Sequence, residues 1–199
     1  MTLACALIMS GCGRDQPSPS AEPQIPARGA QRQQDPPRPT VPYESHGACP
    51  FECCTYREWV VEKDADVFDD FRKTGPVRFR VKRGEKVSAL TGVVVTTELG
   101  VALATNAISP SKGLKPGDRF DVLHHVGEGH WRFWLNGQFG EDQIDTREVC
   151  QQRRAPAPPC EFELVTPPQT VWWAHIRTAD GREGWGKPSG NFGNMDACG

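Results

Sequence analysis

Cysteine is where this chain concentrates its reactive chemistry. Of its eight cysteines, six fall after residue 46: Cys49, Cys53, Cys54, Cys150, Cys160 and Cys198. Thiolates serve as metal ligands, nucleophiles or disulfide partners. Cys49-x-x-x-Cys53-Cys54 with His46 close by offers soft ligands for zinc, which takes four in tetrahedral geometry. The spacing is not that of paired zinc knuckles, however, and we assign no metal and no cofactor. Cys54 or Cys198 beside His175 would make the nucleophile–base pair of a Cys-dependent hydrolase or thiol oxidoreductase, provided the thiol stays free and ionised. An even set of cysteines instead favours disulfides wherever the compartment oxidises. Six cysteines allow 15 pairings, and local geometry trims them. Adjacent Cys53 and Cys54 point to opposite faces if extended, so they take different partners. Cys150 and Cys160 flank residues 151–159, and a bridge there closes one loop. Cys198 joined to the Cys49–Cys54 cluster would pin both edges of the domain. No Cys-x-x-Cys redox motif or Cys-x-x-Cys-His haem signature is present.

Elsewhere the catalytic signals are sparse. The chain has no Gly-x-Ser-x-Gly elbow, phosphate loop, dinucleotide fingerprint or His-Glu-x-x-His pair. His124, His125 and His130 are close in sequence, but on a strand His124 and His125 face opposite ways, and Gly127-Glu128-Gly129 reads as a turn. A net charge of −2, from 23 Lys+Arg against 25 Asp+Glu, gives no basic excess for nucleic acid.

The aromatic residues lead further. Trp131, Phe133 and Leu135 share one face of a strand, which leaves Trp134 on the other. Trp172, Ala174 and Ile176 share another, with Trp173 opposite. Arg132 and Arg177 follow the alternation of Trp134 and Trp173. We therefore expect a binding surface of Trp134, Trp173, Trp185, Arg132 and Arg177, with Tyr56 or Trp59 beside it. Its rings would stack on sugars, prolines or peptide planes, and its cations would pair with carboxylates.

The elements that must position these residues are strands. Val171-Trp172-Trp173-Ala174-His175-Ile176-Arg177 leads into Asp180-Gly181 and then Gly184-Trp185, the pattern of a hairpin with a tight turn. Val77-Arg78-Phe79-Arg80-Val81-Lys82 alternates apolar and cationic residues, so Val77, Phe79 and Val81 are expected to face inwards. Thr55-Tyr56-Arg57-Glu58-Trp59-Val60-Val61 is a further strand. Residues 62–74 are charged and read as a long loop with one helical turn around residues 67–71. An internal repeat stands out: Lys82-Arg83-Gly84-Glu85-Lys86-Val87-Ser88-Ala89-Leu90 matches Lys115-Pro116-Gly117-Asp118-Arg119-Phe120-Asp121-Val122-Leu123 in chemical type. The second copy runs on to Trp131-Arg132-Phe133-Trp134-Leu135 and an Asn136-Gly137 turn. No segment of helical period is long enough to contest an all-β fold.

Lys-x-Gly-acid-base-apolar entering a strand resembles the diverging turn of bacterial SH3-like domains, and the Trp-rich hairpin resembles their closing hairpin. That resemblance implies a small SH3-like barrel over roughly residues 56–185, as two incomplete units packed together or one unit with insertions. At the other end, Leu3 to Met9 is a short apolar run followed by Ser10-Gly11-Cys12. This is similar to a bacterial lipoprotein signal, in which Cys12 would carry the lipid, although Met9 stands where Leu is usual and no Lys or Arg precedes the run. The expected organisation is a signal peptide (1–11), a disordered Pro/Gln-rich tether (12–46) and a disulfide-bonded β domain (47–199), with 55–147 and 148–199 as sub-units. The tether has too little apolar surface to offset ordering costs of about 1–2 kcal/mol per residue. The resemblances imply a lipid-anchored protein of the cell envelope, facing the periplasm, that binds peptidoglycan or an extended peptide and does not catalyse. A structural accessory of an envelope complex is the alternative, with the Cys-dependent enzyme behind it.

Overall fold

The alternating segments do become strands, and the fold is all-β: 49% of it is strand and 6% helix, in two curled half-barrel sheets. The computed structural model describes residues 37–72 and 75–198. The expected signal peptide, Cys12 and most of the tether therefore lie outside the described residues. Within the described residues no helix is long and apolar enough to cross a membrane.

In chain order the strands are β1 (Tyr43–His46), β2 (Glu58–Val61), β3 (Ala65–Phe68), β4 (Phe79–Val81), β5 (Lys86–Glu98), β6 (Gly100–Ala104) and β7 (Arg119–Gly127). There follow β8 (His130–Leu135), β9 (Gln138–Gln143), β10 (Asp145–Thr146), a short helix α1 (Arg147–Gln152), β11 (Phe162–Thr166), β12 (Gln169–Thr178), β13 (Glu183–Gly186) and β14 (Phe192–Gly193). Sheet 1 runs β14-β2-β5-β12-β13-β3-β4, with β1 added beside the second half of β5; sheet 2 runs β10-β11-β6-β7-β8-β9.

The two sheets are not consecutive in sequence. Everything in sheet 2 lies between β5 and β12, so it is an insertion into sheet 1. The division at 147/148 expected from the sequence is therefore not how the sheets partition. What joins them is a long antiparallel ribbon. β5 and β6 are separated by Leu99 alone, and the pair is matched in register by β12 and β11, from Val87↔Thr178 to Ala104↔Phe162. Gly100 sits at the joint, where a Cβ would lie 2.6 Å from Thr166 O and from the Pro168 ring. Only glycine lets the two strands approach this closely.

The internal repeat has a structural counterpart. Glu85 N–H donates to Lys82 O and Asp118 N–H to Lys115 O, each at 3.0 Å. Gly84 N–H reaches Val61 O at the end of β2, and Gly117 N–H reaches Ala104 O at the end of β6, each at 2.8 Å. Their φ angles are +89° and +90°, values that glycine adopts without steric cost. Each turn opens an interior strand of its own sheet, and the matched residues Val87 and Phe120 are both buried.

Each sheet has its own core. Trp59, Val61, Val67, Val81, Ala174 and Ile176 pack in sheet 1 with Trp172 against them; Ala102, Phe120, Val122, Phe133 and Phe162 pack in sheet 2. Burying each large apolar side chain contributes roughly 1.5–3 kcal/mol. A third cluster, Phe71, Val93 and Trp173, covers the opposite face of sheet 1.

Several local expectations need correcting. Residues 65–68 form strand β3 and not part of a loop with a helical turn, because Ala65 and Val67 alternate into the core while pairing with β4. Val77 precedes β4 and is exposed. The Asp180-Gly181 hairpin has a three-residue loop closed by Thr178 N–H to Arg182 O at 2.9 Å, so its second strand starts at Glu183. The β domain also begins before residue 47: Tyr43–His46 is β1, paired with Val93–Thr96.

Candidate functional site

The six cysteines fall into three pairs at disulfide distance. Cα–Cα separations are 5.5 Å for Cys49–Cys54, 5.7 Å for Cys53–Cys198 and 5.6 Å for Cys150–Cys160. Cys53 and Cys54 take different partners, and Cys198 joins the N-terminal cluster. Both cysteines of the nucleophile reading are thus paired, and His175 lies against the Trp185 ring at 5.0 Å and Glu183 at 3.7 Å. Among the described residues two groupings have metal-ligand spacing, Glu52-Cys53-Cys198 and Asp145-Cys150-Cys160, and in each the sulfurs are those of one cysteine pair.

Trp134 and Trp173 do not form an open binding face. They are 7% and 9% exposed, because neighbouring aromatic side chains pack over each ring. Trp134 packs edge-on to Phe139, with ring centroids 4.8 Å apart, and Trp173 lies edge-on to Phe68 at 5.8 Å. Trp185 is half-buried against Phe71 at 4.7 Å. Arg177 is held by Glu183 of the next strand at 2.5 Å. Tyr56 and Trp59 belong to the sheet 1 core region. Of the five predicted residues, only Arg132 lines the cleft described next.

That cleft, of about 370 Å³, opens between β1 and the outer face of sheet 2; Tyr43, Ser45, His46, His124, Arg132 and Glu141 are among its lining residues. Its floor is a cross-strand row. His124 of β7 stands opposite Arg132 of β8, which stands opposite Glu141 of β9. Arg132 Nη1 donates to Glu141 Oε1 at 2.9 Å, and its guanidinium lies over the Phe139 ring at 5.3 Å.

His124 reaches this row through a β-bulge. β7 pairs Val122 with Phe133 and then His124 with Arg132, so Leu123 is the extra residue. The bulge carries His124 from the core-facing alternation of Phe120 and Val122 to the side of Arg132. The Leu123 carbonyl accepts from Thr96 Oγ1 of β5 at 2.9 Å, and Thr96 is fully buried. Sheet 1 thereby satisfies the polar group that the irregularity in sheet 2 presents to it.

The roof comes from β1. Tyr43 packs on Phe139, with ring centroids 5.4 Å apart, and strand alternation puts Ser45 on the same side as Tyr43. Glu44 and His46 alternate to the other side. There Glu44 accepts from Arg72 Nε and Nη2 at 2.7 and 2.8 Å, and His46 stands edge-on to Phe71 at 6.1 Å. The Arg72 guanidinium holds the Glu44 carboxyl below its usual pKa. Burial pushes the His124 pKa down, so at neutral pH the imidazole is uncharged. Its Nδ1 contacts the His125 carbonyl at 2.9 Å. A carbonyl only accepts, so Nδ1 carries the proton and Nε2 presents a lone pair.

Three buried side-chain atoms among the described residues have no hydrogen-bond partner: Ser45 Oγ, His124 Nε2 and Arg132 Nε. All three residues line this one cleft. An unmade buried hydrogen bond costs about 1–3 kcal/mol, so their convergence is energetically significant. Sequence reading placed Ser45 in the tether and set His124 aside, since the bulge leaves no glycine or other mark in Val122-Leu123-His124. Compared with family models, with curated proteins and with solved structures, the chain has no match.

Proposed function

We propose that this chain is a non-catalytic binding module of the cell envelope, SH3-like in its two diverging turns. A lipid on Cys12 and the Pro-rich segment after it tether the module on the periplasmic side. Three cysteine pairs suit an oxidising compartment. The reading rests on one observation above all: Ser45, His124 and Arg132 each keep an unpartnered buried polar atom, and all line the cleft between β1 and β7–β9. A ligand that completes those hydrogen bonds relieves a cost the folded protein otherwise bears. Peptidoglycan or an extended peptide is the ligand class, and the protein needs no cofactor and does not engage nucleic acid.

Co-sedimentation of the full chain with purified sacculi tests this, with Arg132→Ala as the variant. Losing a hydrogen bond from a charged donor, about 1.5–3 kcal/mol, weakens retention roughly tenfold or more. Retention equal to the parent's would remove the cleft from the binding reaction. The anchor has its own test: the mass of the mature membrane form should show acylated Cys12 and no residues 1–11.

A further inference from the structure

We infer that the cleft recognises an amide group, taking its N–H on His124 Nε2 and its carbonyl on Arg132 Nε and Ser45 Oγ. This deepens the binding reading above and rests on it. The unsatisfied set is mixed in polarity. Arg132 Nε is a donor and nothing else, Ser45 Oγ donates or accepts, and His124 Nε2 is an acceptor because Nδ1 holds the proton against the His125 carbonyl. A bare carboxylate or phosphate satisfies the donors and repels the Nε2 lone pair. An amide satisfies both, since it carries one donor and one acceptor.

The local charges point the same way. Glu141 already neutralises Arg132 through Nη1, and Glu44 is taken by Arg72, so the cleft has no unpaired cation to attract an anion. Tyr43, held in place by packing on Phe139, is the aromatic ring among the lining residues and offers a flat surface to an amide plane. The three atoms sit beneath the cleft surface, so the ligand draws β1 slightly outward. β1 is the one strand of sheet 1 off its continuous path. An amide of this kind comes either from a peptide backbone or from the acetamido group of an amino sugar.

The full chain is titrated with three probes: an uncharged peptide capped as N-acetyl and C-amide, a trimer of N-acetylglucosamine, and acetate. The capped peptide, the sugar trimer or both should bind, which also decides the source. Affinity should fall in acid, with Kd rising towards tenfold per pH unit once His124 protonates and Nε2 is lost as an acceptor. Among the other titratable groups, Glu141 of β9 shares its row and His125 adjoins it on β7, with Arg132 as the fixed charge; Glu44 and His46 of β1 border the same cleft, with their side chains engaged by Arg72 and Phe71. H124Q isolates the ring from them, because it keeps an acceptor but does not titrate. It should bind at neutral pH and lose this acid dependence, whereas H124F should lose binding while remaining folded by circular dichroism. Acetate binding that tightens in acid would overturn the amide assignment and leave a binding cleft. Sacculi retained by the full chain while none of the probes binds would also overturn it. If neither sacculi nor probes bind, the reading of the module as a binder falls with it.

Discussion

Removing the Cys53–Cys198 bridge should cost the domain far more than removing either of the others. In the chain-entropy account a disulfide acts on the unfolded state, and its effect grows with the logarithm of the loop it closes. The three bridges close separations of 145, 10 and 5 residues. That relation gives about 5 kcal/mol for Cys53–Cys198, about 2.7 for Cys150–Cys160 and about 2 for Cys49–Cys54. A total stability of roughly 5–15 kcal/mol is usual, so the first loss alone brings the domain near its limit. The folded state around that bridge is already knit: Thr55 N–H donates to Met195 O at 2.9 Å, Ala197 N–H to Cys53 O at 2.8 Å, and Arg57 Nη2 to Asn194 Oδ1 at 2.7 Å. The C-terminal segment should therefore keep its place when the bridge goes, leaving the unfolded-state entropy as the dominant change. The assay is urea unfolding of Cys53→Ser with Cys198→Ser against Cys150→Ser with Cys160→Ser, followed by fluorescence and circular dichroism to check that the transitions coincide. The first pair should lose about twice as much stability as the second. Equal losses would refute the entropic reasoning and place the contribution in native contacts.

Trp134→Ala and Trp173→Ala should each destabilise by about 3–5 kcal/mol in denaturant titrations, as buried aromatic truncations do; losses under 1 kcal/mol would return these rings to the surface. Gly84→Ala and Gly117→Ala should cost about 1–2 kcal/mol each and by similar amounts, since both have positive φ and open space around them; a large difference in thermal shift would break the equivalence of the two turns. Gly100→Ala has the opposite cause, a collision with backbone across the joint between sheets, and should cost about 1–3 kcal/mol, read as a lowered denaturation midpoint. Stability should also fall as pH drops below 6.5, the ordinary value for the histidine, because the unfolded chain takes up the proton before buried His124 does. The slope approaches about 1.4 kcal/mol per pH unit until the folded-state pKa is reached. His124→Gln should flatten that part of the curve; an unchanged slope would assign it to another group.

Much of the fold could be read directly because it rests on local signals. Asn136-Gly137 forms its two-residue turn between Leu135 and Gln138, and Lys82–Glu85 and Lys115–Asp118 close alike. Strand alternation gave Cys53 and Cys54 different partners and chain position brought Cys198 to their cluster, but which of the cluster's cysteines Cys198 meets, Cys53, came only from the structure. Burial was harder to read. Alternation says that Trp172 and Trp173 face opposite ways, and they do, but it does not reveal that Phe71 and the β3–β4 region cover the second face. The site was the least legible part. It depends on a bulge at Leu123 whose carbonyl finds Thr96 27 residues earlier in the chain. It depends also on β1, a four-residue strand at the end of the 12–46 stretch whose composition argues against order. Tyr43 earns its place only through Phe139, 96 positions away.

The insertion explains why a cleft exists at this place. Had sheet 2 been a separate domain on a single linker, β1 would have had no fixed surface to lie against. Instead the β5–β6 and β11–β12 ribbon carries the chain out of sheet 1 and back again, so the two sheets are joined by two paired segments, broken only at Leu99 and at residues 167–168. β1 uses the second half of β5 as its pairing edge, immediately before the ribbon enters sheet 2. Its side chains at 43 and 45 are therefore held over a sheet to which β1 has no ladder of its own. Arg38 ties the approach to β1 down through Asp121, with Nε and Nη2 at 2.5 and 2.6 Å from its carboxylate oxygens, and the Cys49–Cys54 pair fixes the exit. Between those two fastenings the strand is held at both ends over the row of His124, Arg132 and Glu141.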